Sequence, residues 1–238
     1  MTIDYIDRRI KKTLIPQKGY GFIATDFIPK HTIILTEHPS FRIDNYKSNT
    51  HEIFELIYVI LTSNNENNKN KFLKYLPKTM DKNFTAISKK ITDEFKNLKI
   101  KNPHIYKYLN SNYSMNDIIL FCLKYVCNAF NFFEDGPIIL LNGSIFNHSC
   151  NPNIIFGKNN ESKMVFITIK DINKGEEIQN CYIDIFKSTI ERKKNLSNQY
   201  GFICKCDRCN KNFNNIGNLK KAISVTKELY SNLKFNNI

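Results

Sequence analysis

Cys204, Cys206 and Cys209 stand at C-x-C-x-x-C spacing. Three thiols so close along a chain can converge on one ion, but a tetrahedral structural zinc takes four ligands. No Cys or His follows Cys209, so a fourth ligand must come from earlier in the chain. By type it is Cys122, Cys127, Cys150, Cys181 or a histidine. The competing explanation is a surface group of free thiols, which oxidise readily. A second constellation, Asn147-His148-Ser149-Cys150-Asn151-Pro152-Asn153, offers side-chain donors and acceptors around a turn fixed by proline. Alone, it is an ordinary loop in an Asn-rich chain. The third is Gly175-Glu176-Glu177-Ile178 running on to Tyr182-Ile183-Asp184. Alone, it is a turn leading into a half-buried strand with Tyr182 as packing.

The elements that must position these groups fall into two β-rich parts separated by a helical one. Phe22 to Thr25 and Thr32 to Thr36 have strand character, with Gly19-Tyr20-Gly21 as a flexible bend and Ile28-Pro29-Lys30 as a turn. From about 51 to 130 the period changes. Ile53, Phe54, Leu56, Ile57, Ile60 and Leu61 suit a helix buried on a broad face. Phe72 to Leu76 suit a second helix ended by Pro77, and Asn116 to Phe130 a third, with residues 64–70 as a polar loop. Strands return at 138–146 and 164–169. A charged helix over 188–199 is capped by Ser188 or Thr189, and an amphipathic helix spans Leu219 to Leu233.

The chain has 238 residues, 42% hydrophobic and 13% aromatic, which is globular composition and excludes a disordered chain. Its net charge of +13 raises nucleic acid or acidic partners as a possibility. No Lys/Arg run exceeds three residues, so scattered solvated lysines explain that charge, and nucleic-acid contact has no other support. No apolar run approaches the ~20 residues of a membrane span, and residues 1–12 lack the apolar core of a signal peptide. An intracellular chain (nucleus, cytoplasm or both), working as a monomer with reduced cysteines, is expected.

The order of the motifs carries a resemblance. N-H-S-C-x-P-N stands at 147–153, G-E-E-I with its tyrosine at 175–182, and Y-x-F-x-C-x-C-x-x-C at Tyr200 to Cys209. Lys18-Gly19-Tyr20-Gly21-Phe22-Ile23-Ala24 matches an opening R-G-x-G-[LI]-x-A element with Lys18 in the arginine's place, and Val126-Cys127-Asn128-Ala129-Phe130 a further one. In this combination the sequence resembles the SET protein-lysine methyltransferases, and among them the SET-and-MYND branch. The resemblance implies an α+β, β-rich SET fold, with small sheets around a threaded, knot-like C-terminal segment, a helical insert and a zinc-binding post-SET segment. Its expected parts are 1–50 (N-terminal SET), 51–130 (insert), 131–190 (C-terminal SET), 191–212 (post-SET) and 213–238 (C-terminal helix).

It also implies roles. Cys150 joins Cys204, Cys206 and Cys209 around a structural zinc. Lys18, Tyr20, Asn128, Ser144, Asn147, His148 and Phe202 match positions that hold S-adenosylmethionine. Tyr182 matches the catalytic tyrosine, and Phe130 and Tyr200 the walls of the channel for a substrate lysine of a histone or other protein. The rival expectation is a catalytically weak or inactive SET module that binds a protein partner. Two departures stand out. Residues 40–121 contain no Cys, so no MYND finger is expected there, and Lys18 replaces an arginine that could grip a carboxylate with two donors.

Overall fold

Alternating and β-branched segments build the strands on both sides of a long apolar insert. The structure, a computed structural model, describes residues 4–47, 51–80, 82–211 and 216–235. The expected boundaries at 50/51 and 212/213 touch residues outside that description. In chain order come β1 (Tyr5–Ile6), β2 (Ile10–Ile15), β3 (Gly19–Ala24), β4 (Ile33–Glu37) and β5 (Phe41–Arg42). Five helices follow: α1 (Glu52–Leu61), α2 (Glu66–Leu73), α3 (Thr85–Lys101), α4 (Pro103–Asn112) and α5 (Met115–Asn128). Then come β6 (Ala129–Asn131), β7 (Pro137–Ile139), β8 (Asn147–His148), β9 (Ile154–Lys158), β10 (Met164–Thr168) and β11 (Glu177–Asn180). The chain closes with α6 (Thr189–Tyr200), α7 (Asp207–Asn210), α8 (Gly217–Leu229) and β12 (Lys234–Phe235). This is the α+β class, with small sheets, that the sequence led to.

The chain divides into two compact units. The first is assembled from Met1–His38, Asn142–Leu196 and Ile203–Ile238. It holds a five-stranded sheet in the order β1-β4-β10-β9-β12 and a four-stranded sheet in the order β2-β3-β11-β8. All their pairings are antiparallel except β11 with β8, which run parallel with Gln179 opposite Asn147 and Asn180 opposite His148. That one parallel pair sets two of the chemical motifs side by side. Leu219 and Ile223 of α8 cluster with Ile155, Ile169 and Ile185.

The second unit is Pro39–Leu141 with Ser197–Phe202. Its core gathers Phe54, Leu56, Ile57 and Ile60 of α1, Phe95 and Leu98 of α3, Leu109 of α4 and Cys122 and Leu123 of α5. A three-stranded sheet, β5-β7-β6, belongs to it.

Several local expectations change. Gly19-Tyr20-Gly21 is the start of β3 rather than a bend: the turn lies just before it, and Gly19 takes its positive φ of 80°. The polar stretch 64–70 is mostly α2, because Asn65 caps it by accepting from Asn68 N, and that helix ends at Leu73 rather than at Pro77. The strand expected at 138–146 stops at Ile139 and gives way to a 3-10 turn over Gly143–Ile145. The last helix ends at Leu229, four residues early, and the chain re-enters the sheet as β12 against β9.

Candidate active site and cysteine cluster

Three segments of the first unit meet at the β8–β11 pair. Asn147 Nδ2 donates to Glu177 Oε1 at 2.9 Å and lies 3.4 Å from Tyr20 O. Lys18 Nζ sits 2.5 Å from Glu177 Oε2, and Gln179 Nε2 donates to the same oxygen at 3.1 Å. Glu177 thus draws one ammonium and two amides to itself. Gly21 is what lets β3 come so close, since a Cβ there would lie 2.6 Å from Asn147 Nδ2. Lys12 Nζ stands 4.6 Å from the centroid of the exposed Tyr20 ring. An ammonium, a carboxylate and an amide thus stand together, groups that can face the two charges of a zwitterion.

His148 is buried, and its two ring nitrogens point at different partners. Nδ1 accepts the backbone N–H of Tyr182 at 3.1 Å, which leaves the proton on Nε2. Nε2 then donates to Cys150 Sγ at 3.3 Å. Burial drives the His148 pKa down to about 4, so the ring is neutral. The half-buried Tyr182 donates its hydroxyl proton to Phe146 O at 2.7 Å. Phe146 is fixed in turn by ring contacts with Phe22 at 4.9 Å and Phe166 at 5.0 Å.

Ser144 lies in the 3-10 turn Gly143–Ile145, and the buried carboxylate of Glu37 holds the start of that turn. It accepts Asn142 N at 2.9 Å and Gly143 N at 2.8 Å. Sequence reasoning gave Glu37 no role. A glutamate at a strand end is ordinarily exposed, and only the fold reveals the amides it faces.

Asn128, Phe130, Tyr200 and Phe202 belong to the second unit. Asn128 closes α5, where its Nδ2 donates to Leu76 O and Lys124 O, both at 2.8 Å. Phe130 lies in β6, and the Tyr200 and Phe202 rings are 6.5 Å apart.

The sulfur atoms of Cys150, Cys204, Cys206 and Cys209 all lie within 4.8 Å of one another. Cys150 Sγ is 3.5 Å from Cys209 Sγ and 3.9 Å from Cys204 Sγ. A disulfide needs about 2.05 Å, and these cysteines are free. Four sulfurs at about 2.3 Å around one tetrahedral zinc are about 3.8 Å apart, which the two separations bracket. Cys206 N–H points at Cys204 Sγ over 3.5 Å, a contact that suits a thiolate. The donor set therefore fits zinc. Two buried arginines, Arg192 and Arg208, line the cluster, and sequence reasoning passed over both, although Arg208 lies inside the cysteine spacing.

Residues 19–183 match the family pattern described as the SET domain. A SET domain-containing protein of Acanthamoeba polyphaga mimivirus is 39% identical over 204 residues, which is 85% of this chain and 78% of that one. The human histone-lysine N-methyltransferase SMYD3 is 35% identical over 118 residues, covering 47% of this chain and 27% of that one. Among solved structures, the SET domain of LSMT bound to methyllysine and AdoHcy superposes with a TM-score of 0.62 at 14% identity. That match covers 85% of this chain and 54% of the other.

Proposed function

The chain belongs to the SET domain family, and we propose that it transfers a methyl group from S-adenosylmethionine to a lysine side chain of a histone or another protein. The observation that carries this reading is the Tyr182 hydroxyl, anchored on Phe146 O at 2.7 Å. With its proton committed to a carbonyl, the phenol oxygen meets an incoming amine as an acceptor. By accepting an N–H of the neutral amine it would leave the nitrogen lone pair free to face the methyl group.

S-adenosylmethionine, when bound, supplies a methyl group on a positively charged sulfur. What the chain's own residues supply is alignment, which is the larger part of catalysis in an in-line displacement. Lys18 would meet the cofactor's carboxylate, with Glu177 and Asn147 facing its ammonium. The family resemblance also assigns cofactor contacts to Tyr20, Ser144 and His148 of the first unit and to Asn128 and Phe202 of the second. Phe130 and Tyr200 would exclude water from the substrate lysine, whose reference pKa of about 10.4 falls on desolvation. Cys150, Cys204, Cys206 and Cys209 would hold a structural zinc with every position filled by thiolate, leaving none open to substrate.

Purified chain incubated with labelled S-adenosylmethionine and a panel of histones and cell lysate transfers label. Tyr182→Phe lowers the rate about 100-fold or more with little change in the dissociation constant for S-adenosylhomocysteine. Cofactor binding with no label transfer from either protein would favour a partner-binding SET module. No cofactor binding would remove the site assignment.

A further inference from the structure

Two guanidinium groups lie in the interior of the first unit with no carboxylate to answer them. Arg192 is 0% exposed and Arg208 2%, and among the described residues neither forms an ion pair with Asp or Glu. Apart from the contact of Arg192 with Cys209 Sγ, their hydrogen bonds run to neutral oxygens. Arg192 Nη1 donates to Lys187 O at 2.5 Å and Nη2 to Thr189 Oγ1 at 3.1 Å. Arg208 Nη1 donates to Cys150 O at 2.9 Å and Ile185 O at 2.7 Å. The Nε atom of each is buried without a partner. A buried cation with no counter-charge is strongly unfavourable, and sequences seldom retain two.

The groups beside both arginines that can carry negative charge are cysteines. Arg192 Nη2 is 4.0 Å from Cys209 Sγ, and Arg208, next to Cys209 in the chain, is held on the carbonyl oxygen of Cys150. Four thiolates around one divalent ion leave a formal charge of minus two. Two guanidinium groups restore neutrality, whereas iron(III) in the same four sulfurs would leave only minus one.

We infer that Arg192 and Arg208 are the counter-charges of a tetrathiolate zinc centre formed by Cys150, Cys204, Cys206 and Cys209. They are positioning residues for the metal and touch no substrate. The inference rests on the zinc reading of the four cysteines, and the test separates the two.

Metal analysis of the purified full chain comes first, followed by release of zinc to a chromogenic chelator as a function of pH. The wild-type chain holds one zinc. Arg192→Gln and Arg208→Gln release it about 10- to 100-fold faster, the usual effect of removing a group that supports a metal's ligands. They also lose it at a higher pH. Without the nearby cation the thiolates are more basic, so protons displace the metal sooner on acidification. Arg192→Lys and Arg208→Lys keep the charge and return the midpoint of release close to wild type. A role in packing alone would lower the Tm of Gln and Lys variants alike and leave the midpoint unmoved. Folded Gln variants with the wild-type midpoint therefore overturn the inference while leaving the zinc reading intact. A wild-type chain without zinc sinks that reading itself. Should neither Gln variant fold, the Lys variants decide: Lys variants that fold and hold one zinc support charge compensation, and Lys variants that fail as the Gln variants do overturn it.

Discussion

An alanine at position 21 would put its Cβ 2.6 Å from Asn147 Nδ2 and 2.9 Å from Ile15 Cγ1. The Ile15 contact has little room, and the Asn147 amide is tied to Glu177. Overpacking of this kind costs about 1–3 kcal/mol, and each kcal/mol lowers Tm by about 2–4 °C in a chain of this size. Gly21→Ala should therefore melt several degrees early in calorimetry and bind S-adenosylhomocysteine more weakly. An unchanged Tm would mean that Asn147 can step aside. In the second unit, Lys124 is buried and donates to Tyr75 O and Pro77 O. Burial pushes its pKa down to about 8 from an ordinary 10.5. Between those values the unfolded chain holds more protons than the folded one, so this residue's contribution to stability improves as pH rises from 8 to 10.5. Lys124→Met cannot titrate and leaves two carbonyls unanswered. Its stability deficit in urea unfolding should widen across that same window.

At the scale of elements, α6 begins with a reciprocal cap. Ser188 Oγ accepts Glu191 N at 3.3 Å, and Glu191 Oε2 accepts Ser188 N at 3.0 Å. Ser188→Ala should cost about 1 kcal/mol, read as an earlier urea midpoint with an unchanged m-value. Glu37→Ala should cost more, since it strips the buried Gly143 amide and the partly buried Asn142 amide of their acceptor. It should also weaken cofactor binding through the segment that carries Ser144 and Asn147. The cap of α6 was legible in the sequence because its chemistry is local. So were α1 and α5, whose apolar faces repeat at the helical period. α3 and α4 were not singled out, because their buried positions are sparse: Ile91, Phe95 and Leu98 in one, Ile105 and Leu109 in the other. β9 escaped for another reason. It becomes a strand by pairing with β10 and β12, and register across a sheet leaves little trace along one segment. The cysteine spacing announced a metal, yet it left Cys122, Cys127, Cys150, Cys181 and the histidines open as the fourth ligand. Only the family resemblance named Cys150, which meets Cys204 across 54 positions of chain.

At the scale of the whole molecule, the first unit is closed by its last segment. α8 covers Ile155, Ile169 and Ile185, Tyr230 donates to His31 O at 2.8 Å, and β12 pairs with the outer side of β9. Removing residues 216–238 would bare that apolar patch and leave β9 as an open edge, a recognised route to aggregation. The truncated chain should be poorly soluble and bind a hydrophobic dye, while a soluble, cooperatively melting product would show that α8 and β12 are dispensable.

The same interleaving has a consequence for biosynthesis. The bulk of the second unit, Pro39–Leu141, is one continuous stretch, whereas the first needs segments from both sides of it. A chain emerging from the ribosome releases β1 to β4 early, but their partners β8 to β11 arrive only after about a hundred further residues. The helical stretch has all of its unit except Ser197–Phe202 well before then. Nascent chains arrested near residue 170 should therefore carry a protease-resistant helical core beside a still-cleavable N-terminal segment, and the four cysteines can meet only once Cys209 has left the exit tunnel.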